Sequence, residues 1–553
     1  MAALSITIKT IAFLWGLCVR IRFWAESVIC GILTRTMTTK KGVKVSNFTH
    51  NMQGYFTTHR NTIWHISALV LLAFGIIARI YFYVNHKDLW LDEASLAFCV
   101  YGVPLKDIFF QPLPNLQAAP LGFLLFSKGL GGIFGYSEYV LYFLPLMCGI
   151  GSLILSMLIG KKLAGNFGGF VFLFLLVGSQ NLLYYTTEFK QYGVEAFCSF
   201  LLLYLYVIAN STKGNPKSFV GFYIACMICI VFANTAIFIA TAIGVGILYQ
   251  NRNNLAAFLK TNAVWILGVG IFFVLYYVFY LKFQRVDGFY TYWEKHFLPL
   301  SLNAYPEFIK EILSILSSFT PLKAKYVWLY IIIWLIGIYI AFKERKDIFI
   351  ICVTAILLYI LLSLFRIYPF GHHGVIGSRL SLYMSPIFYL PCCYAIIFFS
   401  KRGVILKFLA YIIVTFLCYK SILFYKHTYP SGHYIQQTHI LITQANRNYT
   451  NDDIILVYDA TNAAYKYYSL LDSSANPYTL FPDDLNELET IIKSTKAKKI
   501  YLLGSHYPGG DWLNNLKDLS LKFDENAKFS YGIGGWGSFL IEINKSNQTL
   551  FTQ

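Results

Sequence analysis

Apolar stretches recur along this chain from residue 62 to residue 424, most of them about 20 residues long, the length a helix needs to cross a bilayer at 1.5 Å per residue. They fall near 62–85, 138–160, 166–186, 192–209, 218–232, 234–250, 261–281, 326–342, 348–365, 380–399 and 404–424. With 57% of residues hydrophobic and 13% charged, a soluble fold of this length could hardly bury so much apolar surface. Lipid can accept it. The sequence therefore predicts an all-α polytopic membrane domain of about 11 transmembrane helices. Tyrosine-rich segments such as "RIYFYV" and "YYVFY" stand where spans end, as suits the membrane interface.

The net charge of +18 would suggest nucleic acid only if it were concentrated on one face. Instead, basic residues recur in every second short loop: Lys161 and Lys162, Lys213 and Lys217, Arg252, "KERKD" at 343–347, and Lys401 with Arg402. That alternation is the positive-inside pattern and predicts a cytoplasmic N-terminus. No nucleic-acid recognition module is visible, and nucleic acid is not expected as a partner. The 11 cysteines lie mostly in apolar runs. Packing explains "CMIC" and "PCCYA" better than a disulfide framework or a zinc site does.

Three regions follow from this pattern. Residues 1–61 read as an N-terminal extension, cytoplasmic or interfacial. "TIAFLWGLCV" has the length of a signal-peptide core, but Arg20 and Arg22 follow it directly and no small-residue cleavage site does. Residues 62–424 form the membrane domain. Residues 425–553 read as a small extracytoplasmic α/β domain: "IILVYDA", "KIYLLGS" and "SFLIEI" look like strands, and "DDLNELETIIKSTKA" has helical period. No internal repeat is apparent, which weakens a transporter reading.

Four segments on the expected outer face could carry chemistry. In "DLWLDEASLAF", Asp92 and Glu93 follow the first span. Either they serve as cap and first-turn acid of a short helix, or one is a base and its neighbour a support. Neighbouring helical positions point apart, so they cannot act as a facing pair. In "PNLQAAPLGFLLFSKGLGGIFG", Gly and Pro break an apolar stretch that contains Gln117 and Lys128, which suits helices lying on the surface. In "YYTTEFKQYGVEAF", Glu188, Lys190, Gln191, Tyr192 and Glu195 interrupt apolar sequence at the ends of two spans. Charges at that depth usually face a polar cavity, and a structural pair between Glu188 and Lys190 is the plainer alternative. In "FRIYPFGHHGVIGSRLSLYMSP", Arg366 and Arg379 flank a Gly-rich loop. Arginine suits phosphate, and His372 and His373 read better as exposed loop residues than as metal ligands.

An acid to take a proton, cations to hold a phosphate and lipid to receive a long tail together suit transfer of a group from a lipid phosphate. The order of these pieces — an acidic "DE" in the first outer loop, a Pro-containing surface helix, a polar patch before a middle span, and the late "RLSLYMSP" — resembles the GT-C integral-membrane glycosyltransferases, in their protein-O-mannosyltransferase and aminoarabinose-transferase branch. The resemblance covers residue 62 to about residue 400. It implies a polyprenyl-phosphate sugar donor, inversion at the anomeric carbon, and a glycan, lipid or protein acceptor. It implies Asp92 as base with Glu93 supporting it. It implies Arg379, with Lys190 or Arg366, as the donor-phosphate clamp, with Gln117, Glu188, Gln191, Tyr192 and Glu195 as further site residues. "QAAP" departs from the family pattern, in which a basic residue or histidine often precedes a Pro pair, and this leaves the acceptor class open. A divalent metal fits the chemistry, but no ligand set is indicated. Two other classes remain: a transporter or flippase of lipid-linked sugars, and a non-catalytic envelope assembly protein.

Overall fold

The computed structural model describes residues 42–211, 216–284, 291–320, 324–371, 377–431, 437–474, 476–532 and 537–545. Most of the 1–61 extension, with His372 and His373, lies outside them. Among the described residues, eight helices are long and apolar enough to cross a membrane. The first is α1 (Gly42–Val84), apolar from Asn61 onward; helices α2 (Leu91–Gly102) and α3 (Leu121–Phe134) follow it. The long element α4 (Glu138–Val177) is folded in two at Ala164 and Gly165, where Gly165 takes φ 72°. A left-handed conformation is one that glycine adopts without steric cost. Then come α5 (Tyr192–Ser211), the short apolar pair α6 (Val220–Phe232) and α7 (Ala236–Gln250), and α8 (Leu255–Phe279). After α9 (Tyr305–Ser318), helices α10 (Val327–Glu344), α11 (Lys346–Leu364), α12 (Ser385–Lys401) and α13 (Val404–Ser431) complete the body. The eleven expected segments are thus eight long helices, one of them doubled, and two short ones. The expected surface helix is α3, which ends in the exposed Ile133 and Phe134. Its Lys128 donates to the carbonyls of Val100 and Val103 at 2.8 and 2.9 Å and so satisfies the C-terminal end of α2.

Small residues set the helix crossings. The two halves of α4 meet at Gly160, Gly168 and Gly169, where a side chain would strike the opposite backbone. In lipid, close backbone approach is a principal source of helix–helix attraction. The tightest case is Gly337 of α10, whose added Cβ would stand 1.8 Å from the carbonyl oxygen of Pro391 in α12. Gly337→Ala should therefore destabilise the body by about 1–3 kcal/mol. Gly268→Ala, where nothing lies within 4 Å, should be nearly neutral. Thermal unfolding of the two variants in detergent checks this, and equal midpoints would refute the crossing argument.

The basic loops gather at one end of the bundle. Lys162, Arg252, Arg345 and Lys346 line a single cavity of about 880 Å³, and Arg345 pairs with Asp347 at 2.8 Å. Asp92 belongs to the opposite end.

The tail is an α/β unit. Its five-stranded sheet has the order β2-β1-β3-β5-β4, from β1 (Ile454–Tyr458), β2 (Tyr478–Phe481), β3 (Lys499–Ser505), β4 (Lys528–Gly532) and β5 (Ser538–Asn544). β1 runs parallel to β2 and β3, while β5 is antiparallel to β3 and β4. Helices α14 (His439–Asn448), α15 (Asn462–Leu471), α16 (Leu485–Ser494) and α17 (Trp512–Phe523) cover it. The side of the sheet carrying Leu456, Leu502 and Ile541 forms a separate core with α16 and α17. The other side, with Ile455, Tyr501 and Leu540, joins the core of the membrane body through Tyr467 and Tyr468.

Candidate active site

The site is built at the start of α2, where chain leaves the first span. Trp90 precedes the helix, and its backbone N–H is turned toward Glu93 Oε2 at 3.4 Å. Glu93, three residues on, thus takes the reciprocal half of a capping arrangement. Asp92 is not the cap. Its carboxylate points away, toward the short helical turn Ser378–Met384 that leads into α12, and meets Arg379 Nη1 at 2.8 Å.

Arg379 is buried to 6% exposure, and its guanidinium is surrounded by rings. Those of Trp90, Tyr192 and Trp293 have their centroids 5.8, 5.6 and 5.5 Å away. Stacked aromatic faces suit a guanidinium but use none of its five N–H donors. The contact with Asp92 is close yet off-axis: Nη1 has no aligned hydrogen-bond acceptor among the described residues. Asp92 keeps a side-chain exposure of 21%. Burial alone would raise its pKa, but Lys190 and Arg379 outweigh that, with a further contribution from His506, and hold it below the ordinary carboxylate value.

Behind this pair lies a buried charge network. Glu93 Oε2 stands 3.0 Å from Lys87 Nζ, and its Oε1 accepts the Phe189 N–H at 2.5 Å. Lys87 also reaches Glu188 Oε2 at 2.6 Å and the Tyr184 hydroxyl at 3.2 Å. The Trp90 indole N–H donates to the other Glu188 oxygen. Burial, then the charge of Glu188, push the Glu93 pKa up. Lys87 stays charged because the two acids overcome the effect of its burial. This network ties the first loop to the 184–190 turn and fixes where Asp92 can point.

Lys190 lies beside this pair, buried, donating to Gln117 Oε1 at 2.5 Å. Burial, reinforced by the neighbouring charge of Arg379, lowers its pKa, and Asp92 opposes the shift. Gln191 donates to the Ala118 carbonyl at 3.3 Å. Glu195, one turn into α5, is buried with an Oε2 that has no hydrogen-bond partner among the described residues.

Most of the residues singled out from sequence thus converge: Asp92, Arg379, Lys190, Gln117, Gln191 and Tyr192 around the pair, and Glu93 and Glu188 behind it. Arg366 does not join them through any described contact. It takes φ 57°, donates to the Glu294 carbonyl at 3.2 Å and lies over Phe297. The alternative of a Glu188–Lys190 pair is not what forms: Glu188 pairs with Lys87. Sequence reading missed Lys87, Trp90, Trp293 and His506. Lys87 and Trp90 stand within five residues of Asp92 and were accessible to it. His506 reaches the Trp90 ring from the far end of β3, at 6.5 Å, and no local signal marks it.

A body of helices long and apolar enough to cross a membrane, followed by a small α/β tail, has the architecture of the GT-C membrane proteins. Solved structures share it across nearly the whole chain. ArnT from Cupriavidus metallidurans in the apo state superposes with a TM-score of 0.51 at 11% identity, over 86% of this chain and 98% of that one. ArnT bound to undecaprenyl phosphate gives a TM-score of 0.50 at 10% identity, over 88% and 98%. The Archaeoglobus fulgidus oligosaccharyltransferase complexed with Zn and sulfate gives 0.50 at 12% identity, over 84% and 72%. No protein-family model and no curated protein matches the sequence. The likeness is therefore one of fold.

Proposed function

We propose that the chain is an inverting glycosyltransferase that moves a sugar from a polyprenyl-phosphate donor to a hydroxyl of a glycan, lipid or protein acceptor on the extracytoplasmic face. The observation that carries the reading is Arg379: a buried guanidinium whose described anionic partner, Asp92, is itself partly exposed. Among neighbours of this fold, one structure holds undecaprenyl phosphate, which supports a lipid phosphate as the anion that Arg379 receives.

In this reading Asp92 takes the proton of the acceptor hydroxyl as its oxygen bonds to the anomeric carbon. The bond from that carbon to the phosphate oxygen breaks with its electron pair, and Arg379 and Lys190 stabilise the phosphate that leaves. In-line displacement puts base and leaving group on opposite sides of the carbon. A 2.8 Å contact between Asp92 and Arg379 leaves no room for it, so donor entry has to part the pair. Phosphate then replaces the carboxylate on Arg379, and Asp92 is freed to meet the acceptor. A divalent cation would further ease departure of the phosphate.

The test is incubation of purified protein with a panel of polyprenyl-phosphate sugars, followed by mass spectrometry of released lipid phosphate and of candidate acceptors. Release that depends on both substrates is expected. Translocation of an intact donor across vesicles, without release, would favour the flippase reading instead. No dependence on any outer-face charge would favour the assembly reading.

The outward placement of the site and tail rests on the basic loops collected at the opposite end. Glu525 is exposed in the tail. Glu525→Cys should react with a membrane-impermeant maleimide in intact cells, above the wild-type background. Labelling only after lysis would reverse the topology.

A further inference from the structure

At the seam between the membrane body and the tail, three chain segments bring Asp88, Glu138 and His439 together. One ligating atom from each, two carboxylate oxygens and a ring nitrogen, lie within 4.8 Å of one another. Asp88 comes from the loop after α1, Glu138 opens α4 and His439 opens α14. We propose that this is a structural divalent-cation site, suited to zinc, which fastens the tail to the membrane body.

Its ring geometry supports a metal over a simple ion pair. His439 Nε2 faces both oxygens of Asp472, at 3.2 and 3.3 Å, and Asp472 is held in turn by the Thr443 hydroxyl at 2.7 Å. A carboxylate that accepts the N–H of one imidazole nitrogen fixes the tautomer and leaves the lone pair of the other nitrogen facing outward, as around metal-bound histidines. That other nitrogen, Nδ1, faces Glu138 Oε1 at 3.9 Å. The distance is too long for a hydrogen bond, and it exceeds by only a few tenths of an ångström the roughly 3.3–3.6 Å between two donors that each stand about 2.0–2.2 Å from one tetrahedral ion. The imidazole is fixed by stacking on Tyr468, at 4.2 Å and 14°.

Glu138 supplies an independent observation. It is nine-tenths buried at its side chain, yet its carboxylate accepts no hydrogen bond from any described residue. A buried carboxylate left so is costly unless a cation satisfies it. Asp88 uses Oδ2 to accept the backbone N–H of His439 at 2.9 Å, which aligns its carboxylate with the site. Carboxylate oxygens and imidazole nitrogens are each ligands that zinc accepts. Neither Asp92 nor Arg379 takes part, so the site stands whether or not the glycosyltransferase reading holds.

The full-length protein, purified in detergent and stripped with a chelator, is titrated with Co²⁺ and with Zn²⁺. Three measurements follow: metal content by mass spectrometry, the ligand-field absorption of cobalt, and thermal unfolding. The expected results are one tightly bound ion more in the wild type than in His439→Gln or Glu138→Gln, and a higher unfolding midpoint with metal in the wild type alone. Asp472→Asn, which keeps all three ligands but weakens the outer carboxylate, should bind about 10- to 100-fold less tightly. Should the ligand variants not fold, the wild-type titration and Asp472→Asn decide. A wild type whose unfolding ignores both chelator and metal, or variants that bind as much cobalt as it does, would overturn the site.

Discussion

Asp92→Asn should lower turnover by roughly 10² or more while donor affinity stays the same or rises. An asparagine amide cannot take the acceptor's proton. It also competes less with phosphate for Arg379 than a carboxylate at 2.8 Å does. A lost helix cap would not produce this pair of effects, and Asp92 is not the cap, since Trp90 precedes the helix and Glu93 answers it. Some thermal stability should be lost, because the variant removes an anion from beside a buried guanidinium. Single-turnover kinetics and donor-binding isotherms on the same preparation separate the outcomes. Wild-type transfer by the asparagine variant would remove Asp92 from the chemistry. Glu93→Gln should act differently: it breaks the contact with Lys87 and leaves Glu188 to hold that charge, so its first effect is on unfolding temperature.

Arg379→Ala should weaken donor binding by roughly 10- to 100-fold, the worth of a charge-assisted hydrogen bond of about 1.5–3 kcal/mol. Arg379→Lys should restore only part, since the fork that matches a phosphate is lost. The pH dependence distinguishes the two. Lys190 and Arg379 together hold the Asp92 pKa down. Without the guanidinium, burial and Lys190 are left to oppose each other, and the pKa rises. Asp92 as base is active when ionised, so the acid limb of the rate profile should move to higher pH in the alanine variant. It should return most of the way in the lysine variant, which keeps the charge. Donor affinity and acid limb both unchanged in Arg379→Ala would remove Arg379 from the site.

The sequence made the spans legible because lipid demands long apolar runs, and the structure holds helices near each of them. The central strands of the tail were equally plain: "IILVY" and "KIYLLGS" are β1 and β3, continuous apolar runs of the kind that a sheet covered on both faces requires. Tyr478–Phe481 and Lys528–Gly532 escaped notice as strands because they lie at the sheet edges, where the pattern is short and mixed. At the site, Asp92, Glu93 and Arg379 stood out as charges beside apolar sequence. Their pairing did not. Nothing local says that Glu188 will choose Lys87, about a hundred residues away, over Lys190, two residues away. Nor does anything local place His506 near Trp90. Arg366 shows the converse: an arginine of the right type, in the right loop, that turns to the Glu294 carbonyl.

The Tyr468 hydroxyl accepts the backbone N–H of Leu89 at 2.8 Å, across 379 positions of the chain. Leu89 lies three residues before Asp92, so the stretch of backbone that aims the carboxylate is anchored by a residue synthesised long after it. Domains fold as they emerge, N-terminal portions first. The bundle can therefore assemble in the bilayer while its acidic loop still lacks its final anchor. The acidic loop takes its final anchor only when α15 docks against it.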